Sequence, residues 1–245
     1  MPTVLLSAPY MLPFVERFRP VFQHYGLDLL IPQVKERMEE EQILAYAGKF
    51  DGTICGDHRY SAEVIKKCLP RLKVISKWGT GIDSINKEFA ESVGVMVKNT
   101  PNAFTLPVSD SVMAYILAFA RKQPWMDKAM KKGVWEKISG RSLSECTLAV
   151  IGVGNIGKAV LRRAKGFGMH LLGNDIQPIA PDFILENYVE MLPFEQALAQ
   201  ADFISLNCDL NPTSYHIINA HSLTFVKTSA ILINTARGQL VDESA

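Results

Sequence analysis

Absences do the first sorting. Only four cysteines (Cys55, Cys68, Cys146 and Cys208) occur in 245 residues, and no two form a CxxC pair. That argues against a disulfide scaffold and a zinc knuckle, and it fits a reducing, cytoplasmic setting. Cys55 and His58 lie close together without further ligands, so they read as a buried thiol beside a loop histidine and no metal site is expected. Neither charge sign dominates: 26 basic and 25 acidic residues leave a net charge of +1. No electrostatic field therefore draws the chain to nucleic acid or to an anionic membrane. The longest apolar run, VMAYILAFA, has nine residues, too few to cross a bilayer. The N-terminal stretch MPTVLLSAPYMLPFVERF has neither the basic start nor the small-residue cleavage site of a secretory leader. Repeats and low-complexity tracts are missing too.

What remains is an alternation of strand and helix signals. Strand-like runs occur at TVLLSA, LDLLIP, DGTICG, LKVISK and GVMVKN, with helix-like stretches between them that include residues 35–48 and 61–69. Such a rhythm predicts a parallel sheet with helices on its faces. A long helix is expected at 107–121 and a second at 124–133. The alternation then restarts with CTLAVIG, a helix over 155–168, MHLLGND, a weak YVEML, DFISLNC and AILINT. Two α/β domains follow, covering 1–100 and 101–245. The closing LVDESA reads as the start of one more helix.

The second domain carries AVIGVGNIGKAV, with Gly152, Gly154 and Gly157 in the spacing GxGxxG between an apolar strand and a helix. That context gives each glycine a task. Gly152 permits a tight turn, Gly154 lets a pyrophosphate approach the backbone, and Gly157 lets the helix pack against the strand. The helix N-terminus offers N–H groups to phosphate. Asp175 lies 18 positions after Gly157, at the end of the next strand. A carboxylate there suits the adenosine ribose hydroxyls and repels a 2′-phosphate, so NAD is favoured over NADP.

With these features in place, the sequence resembles the D-isomer-specific 2-hydroxyacid dehydrogenases. KWGTGIDSIN is similar to the family's glycine-rich substrate loop, and TPNAFTLPVSD to the segment entering its interdomain helix. LNCDLNPTSYHIIN and INTARGQLVDESA resemble two signature stretches of its coenzyme domain. The resemblance implies two doubly wound, Rossmann-like parallel-sheet domains: a flavodoxin-like substrate domain and an NAD-binding domain. It implies hydride transfer between a D-2-hydroxy acid and NAD, with 3-phosphoglycerate the leading substrate. It puts Arg237 at the substrate carboxylate as a catalytic residue, through a bidentate geometry that lysine cannot copy. Asn155, Ile156, Asp175, Cys208, Thr235, Ala236 and Arg237 would contact NAD, Cys208 mainly through its backbone. Gly79, Thr80 and Gly81 would receive a substrate carboxylate on backbone N–H groups, and Arg59 is a weaker substrate candidate. A homodimer through the NAD-binding domain, near helix 107–121, is implied as well.

One requirement of that family is missing. Its acid/base histidine and the carboxylate that orients it fall beyond the position matching Ala245. The five histidines present (His24, His58, His170, His216 and His221) do not match that position. Only five strands are legible in the second domain, where a full dinucleotide fold has six. The expectation is therefore a piece of a longer enzyme, inactive alone. A non-catalytic NAD-binding regulatory protein and a gene remnant are the competing readings.

Overall fold

Two five-stranded parallel sheets organise the chain, seen in a computed structural model that describes residues 1–245. The chain divides into two compact units, Met1–Ala103 and Phe104–Ala245.

In the first unit, β1 (Thr3–Leu6), α1 (Val15–His24), β2 (Asp28–Leu30), α2 (Glu40–Leu44), β3 (Gly52–Cys55), α3 (Ala62–Cys68), β4 (Val74–Lys77), α4 (Lys87–Ser92) and β5 (Met96–Lys98) follow one another. The strands pair in the order β2-β1-β3-β4-β5, the flavodoxin-like arrangement. Apolar clusters form on both faces. Leu5, Ile65 and Ile75 belong to one, and Leu6, Ala8 and Phe22 to the other. Adjacent strand residues thus point to opposite faces, and both faces are covered.

The helix expected at 35–48 shrinks to α2. Its start is set at Glu39, whose N–H donates to the Gln42 side chain at 2.8 Å in a capping box. Just before it, the Met38 N–H goes to His58 Nδ1 at 3.3 Å, a tertiary partner in place of a helical carbonyl. Past Leu44 the chain turns and reaches Gly48 at φ +73°, a left-handed conformation that suits glycine.

The second unit opens with two helices, α5 (Thr105–Ala120) and α6 (Gln123–Lys131). It continues through β6 (Thr147–Ile151), α7 (Asn155–Gly166), β7 (His170–Asn174), α8 (Pro181–Asn187), β8 (Val189–Met191), α9 (Phe194–Gln200), β9 (Phe203–Leu206), α10 (Ala220–Leu223) and β10 (Ile231–Asn234). The sheet order is β10-β9-β6-β7-β8, five strands of the doubly wound dinucleotide order with β6 central. Leu148 and Val150 pack on the α5 and α7 side, whereas Ala149 and Ile151 pack with Leu198 and Leu206 on the other.

LVDESA does not begin a helix. A short 3-10 turn, Gly238–Leu240, ends on its first residue, and Val241 bridges to Ile218. Asp242 Oδ1 then accepts from both Ser244 N–H (3.1 Å) and Ser244 Oγ (2.6 Å), so a local side-chain turn replaces helical pairing.

Candidate dinucleotide site

β6 is the strand from which the second sheet winds both ways. β7 and β8 lie on one side of it and β9 and β10 on the other. Ligands of open α/β sheets bind outside the carboxyl ends of the strands at such a reversal. A cavity of about 500 Å³ lies there. Its walls come from the end of β6 (Ile151 to Gly154), from β7 and the loop after it (Asn174 to Ile179), from Lys158 on α7, and from the segment after β9, including Asn207, Cys208 and Ser214.

The three glycines differ in what surrounds them. Gly152 sits at φ +90°, and a Cβ there would fall 2.5 Å from the backbone nitrogen of Cys208. A Cβ on Gly157 would fall 2.1 Å from the Gly152 carbonyl oxygen. Both glycines are therefore required by close backbone approach. Gly154 caps α7 and has nothing within 4 Å of where its Cβ would be. That open face is the one a pyrophosphate would need. The cap residue also has no side chain to satisfy the first N–H groups of α7, which keeps the donors of Ile156 and Gly157 available for an anion. The residues present thus fit a dinucleotide.

Asp175 closes the turn from the opposite side. Its Oδ2 accepts the Val153 N–H at 2.6 Å and its Oδ1 accepts the Gln177 N–H at 2.8 Å. Val153 is itself buried, so the carboxylate satisfies a backbone donor inside the glycine loop as well as facing the cavity. Cys208 is half-buried, and burial pushes its thiol up from the ordinary value. Its backbone lies where a Cβ on Gly152 would fall.

Thr235, Ala236 and Arg237 lie after β10, two strands away from β6, and do not line this cavity. Asn234 folds the turn there: its Oδ1 accepts the Ala236 N–H at 3.0 Å and its Nδ2 donates to the Arg237 carbonyl at 2.7 Å. The Thr235 hydroxyl is buried without a partner. Arg237 donates from Nη1 to the Ala236 carbonyl at 2.9 Å.

In the first unit the turn after β4 is pinned to Thr100. The Gly79 N–H donates to Thr100 Oγ1 at 3.1 Å, and the Thr100 N–H donates to the Gly79 carbonyl at 3.0 Å. Gly79 therefore has its donor engaged, and the bonds that hold the turn do not use the N–H groups of Thr80 and Gly81. Arg59 is exposed and pairs with Glu40 Oε1 at 3.4 Å.

Sequence reasoning missed Lys158, Asn174, Asn207 and the 209–217 segment as cavity walls. The lysine immediately follows the last glycine of the motif, which was an available signal. The 209–217 segment reaches the cavity through a side-chain turn, Ser214 Oγ accepting from the Asn211 N–H at 2.9 Å, and no periodicity announces it. The histidines are elsewhere. None lines the cavity, and His170 begins β7, at the end of the strand away from it.

Residues 113–245 match the family described as "D-isomer specific 2-hydroxyacid dehydrogenase, NAD binding domain". Over 191 residues the chain is 38% identical to D-3-phosphoglycerate dehydrogenase of Methanocaldococcus jannaschii, a match covering 76% of this chain and 36% of that protein. It is 36% identical over 196 residues to glyoxylate reductase of Thermococcus onnurineus, covering 76% and 58%. Among solved structures, D-lactate dehydrogenase from Aquifex aeolicus, complexed with NAD and lactic acid, aligns with a TM-score of 0.84 at 26% identity. That alignment covers 98% of this chain and 70% of the other. In the first two relatives the match spans about a third to somewhat over half of their length.

Proposed function

The chain belongs to the D-isomer-specific 2-hydroxyacid dehydrogenase family, and from that premise we propose that it serves an NAD-dependent oxidoreductase acting on a D-2-hydroxy acid. The observation that carries the proposal is the pairing of an open Gly154 with Asp175 across one cavity at the sheet's reversal point. The cofactor is NAD, which supplies a hydride acceptor when bound.

The roles assigned to this chain's residues follow from that reading. Gly152, Gly154, Asn155, Ile156, Gly157, Asp175 and Cys208 hold the dinucleotide, with Thr235, Ala236 and Arg237 beside it. Arg237 holds a substrate carboxylate and polarises the adjacent oxo group. Thr80 and Gly81 offer backbone N–H groups to a carboxylate, Gly79 shapes their turn, and Arg59 favours a phosphorylated acid. Residues 1–100 would then be the substrate domain and 101–245 the NAD domain. 3-Phosphoglycerate is the leading substrate, supported by relatives such as D-3-phosphoglycerate dehydrogenase and by the GTGIDSIN loop. The cytoplasm is the proposed compartment, in keeping with four free thiols. A homodimer through the second unit is proposed from the exposed apolar side chains of α5 and α6, among them Tyr115, Phe119, Trp125 and Met130.

One observation favours a second reading. No histidine lines the dinucleotide cavity, and a general base must come within hydrogen-bond reach of the hydroxyl it deprotonates. A non-catalytic NAD-binding protein would satisfy that observation. The two readings separate on residues 1–245 together with the longest open reading frame that contains them. Both are titrated with NADH and NADPH and then assayed for NADH formation from D-2-hydroxy acids. Binding by both and turnover by the longer chain is the expected result. NADH binding without turnover by either supports the second reading, and no binding by either sinks both.

A further inference from the structure

The charges around the cavity leave a problem that one side chain can solve. Two carboxylates, Asp175 and Asp209, line it, and Lys158 is the only cation among its walls. A dinucleotide pyrophosphate adds two negative charges. The N-terminus of α7 contributes roughly half a positive charge, which does not offset two carboxylates and a dianion. The balance therefore falls on Lys158.

Its surroundings leave its ammonium available. Lys158 lies one turn into α7, directly after Gly157, and is half-buried. No carboxylate pairs with it. Its ammonium instead lies over the ring of Phe183 on α8, 5.6 Å from the centroid. The Arg162 guanidinium, four residues along the same helix, occupies the same ring at 5.1 Å. Two cations drawn to one ring repel each other, and a cation–π contact is a weak hold on an ammonium. A charge-assisted hydrogen bond to phosphate is stronger.

We propose that Lys158 is a cofactor-binding residue whose ammonium leaves the Phe183 ring to meet the pyrophosphate of NAD. The Phe183 ring keeps it beside the cavity until then, and the neighbouring Arg162 cation favours its departure. The proposal rests on the NAD reading of the cavity and adds to it a residue outside the glycine motif.

The test compares Lys158→Met, which keeps an unbranched stem, with Lys158→Arg, which keeps the charge. Lys158→Gln serves as a second neutral variant should the methionine chain fold poorly. NADH, NADPH and adenosine affinities are read at low and high salt, adenosine by displacement of NADH. NADH binding by the neutral variants should weaken about tenfold at low salt and lose much of its salt dependence. Adenosine, which has no phosphate, should change by less than about two-fold, and Lys158→Arg should retain most of the NADH affinity. Unchanged NADH affinity in the neutral variants overturns the proposal. So does equal weakening of adenosine, which would give Lys158 an adenine-packing role, and so does a loss confined to NADPH, which would move its partner to a 2′-phosphate. No NADH binding by the unmodified chain overturns the proposal and the NAD reading together. Normal NADH binding that ignores the substitutions overturns this proposal alone.

Discussion

The carbonyl oxygen of Gly152 occupies the space that a Cβ on Gly157 would need, at 2.1 Å. One glycine of the motif thus exists to make room for another. Gly154, between them, faces open space. The two positions should respond in opposite ways to the same added methyl. Gly157→Ala should lower thermal stability, because the overlap is with backbone that cannot swing aside, at a cost of about 1–3 kcal/mol or more. Gly154→Ala should leave the unfolding midpoint nearly unchanged but weaken NADH about tenfold or more, by filling the approach to the helix N-terminus. Thermal unfolding and NADH titration of both variants make the check. Equal stability of the two variants would contradict the assignment.

Asp175 has two tasks that a single substitution exposes together. Its carboxylate faces the cavity and also accepts the N–H groups of Val153 and Gln177. Asp175→Ala should narrow the gap between NADH and NADPH affinity by removing the charge that opposes a 2′-phosphate. It should also cost about 1–3 kcal/mol of stability, since the Val153 donor loses its partner in a buried segment. Asp175→Asn should narrow the cofactor gap while retaining more of the stability. Both quantities are read from paired titrations and unfolding curves, and an unmodified chain that prefers NADPH would refute the role outright.

The same residue shows where sequence reading reaches its limit. The spacing of Asp175 from Gly157 was legible, because a doubly wound unit fixes where its second strand ends. Its bond to Val153 was not, because nothing local pairs residues 22 positions apart. The five strands of each sheet could be read since parallel strands are apolar on both faces. The helix at 35–48 was overextended because Met38 gives its N–H to His58, a partner that no helical period predicts. Thr100 presents a similar case. Its hydroxyl takes up the Gly79 donor, so the donors that remain in that turn belong to Thr80 and Gly81. The Gly-x-Gly pattern shows the turn without showing which of its N–H groups are engaged.

Arg237 donates to the Ala236 carbonyl at the end of β10 and does not line the dinucleotide cavity. If it is the substrate anchor, Arg237→Lys should leave NADH affinity within about two-fold while lowering turnover of the longer reading frame by about one to two decades in kcat/KM, the equivalent of a lost charge-assisted contact. A fall in NADH affinity as large as the fall in kcat/KM would transfer the role to cofactor binding.

Tyr115 and Phe119 on α5 and Trp125 and Met130 on α6 are all more than a third exposed. Aromatic and methionine side chains concentrate in the cores of protein interfaces, so a second copy of this chain is the expected cover. Tyr115→Glu with Trp125→Glu should convert a dimer into a folded monomer in light scattering, with NADH binding retained. A monomeric unmodified chain at micromolar concentration would remove the case for that interface.

His58 connects three segments of the first unit and should make it sensitive to acid. The ring is fully buried, with Nδ1 accepting the Met38 N–H and Nε2 at 3.0 Å from the Ser7 carbonyl. That pattern is a neutral imidazole with its proton on Nε2. Burial holds its pKa below the ordinary value, and Lys77 adds to the effect, while Asp57, Glu39 and the Ser7 carbonyl oppose it. Above pH about 6.5 the folded and unfolded chains both carry a neutral ring. Below it the unfolded chain takes up a proton that the folded one resists, so stability falls as the pH drops, until the folded ring protonates and sets its new N–H against that of Met38. His58→Gln can still donate toward Ser7 but cannot titrate. The unmodified chain should therefore lose more unfolding free energy between pH 7.5 and 5.5 than the variant does, by up to about 1.4 kcal/mol for each pH unit below the unfolded pKa. Parallel losses in the two proteins would show that the imidazole is not the group being titrated.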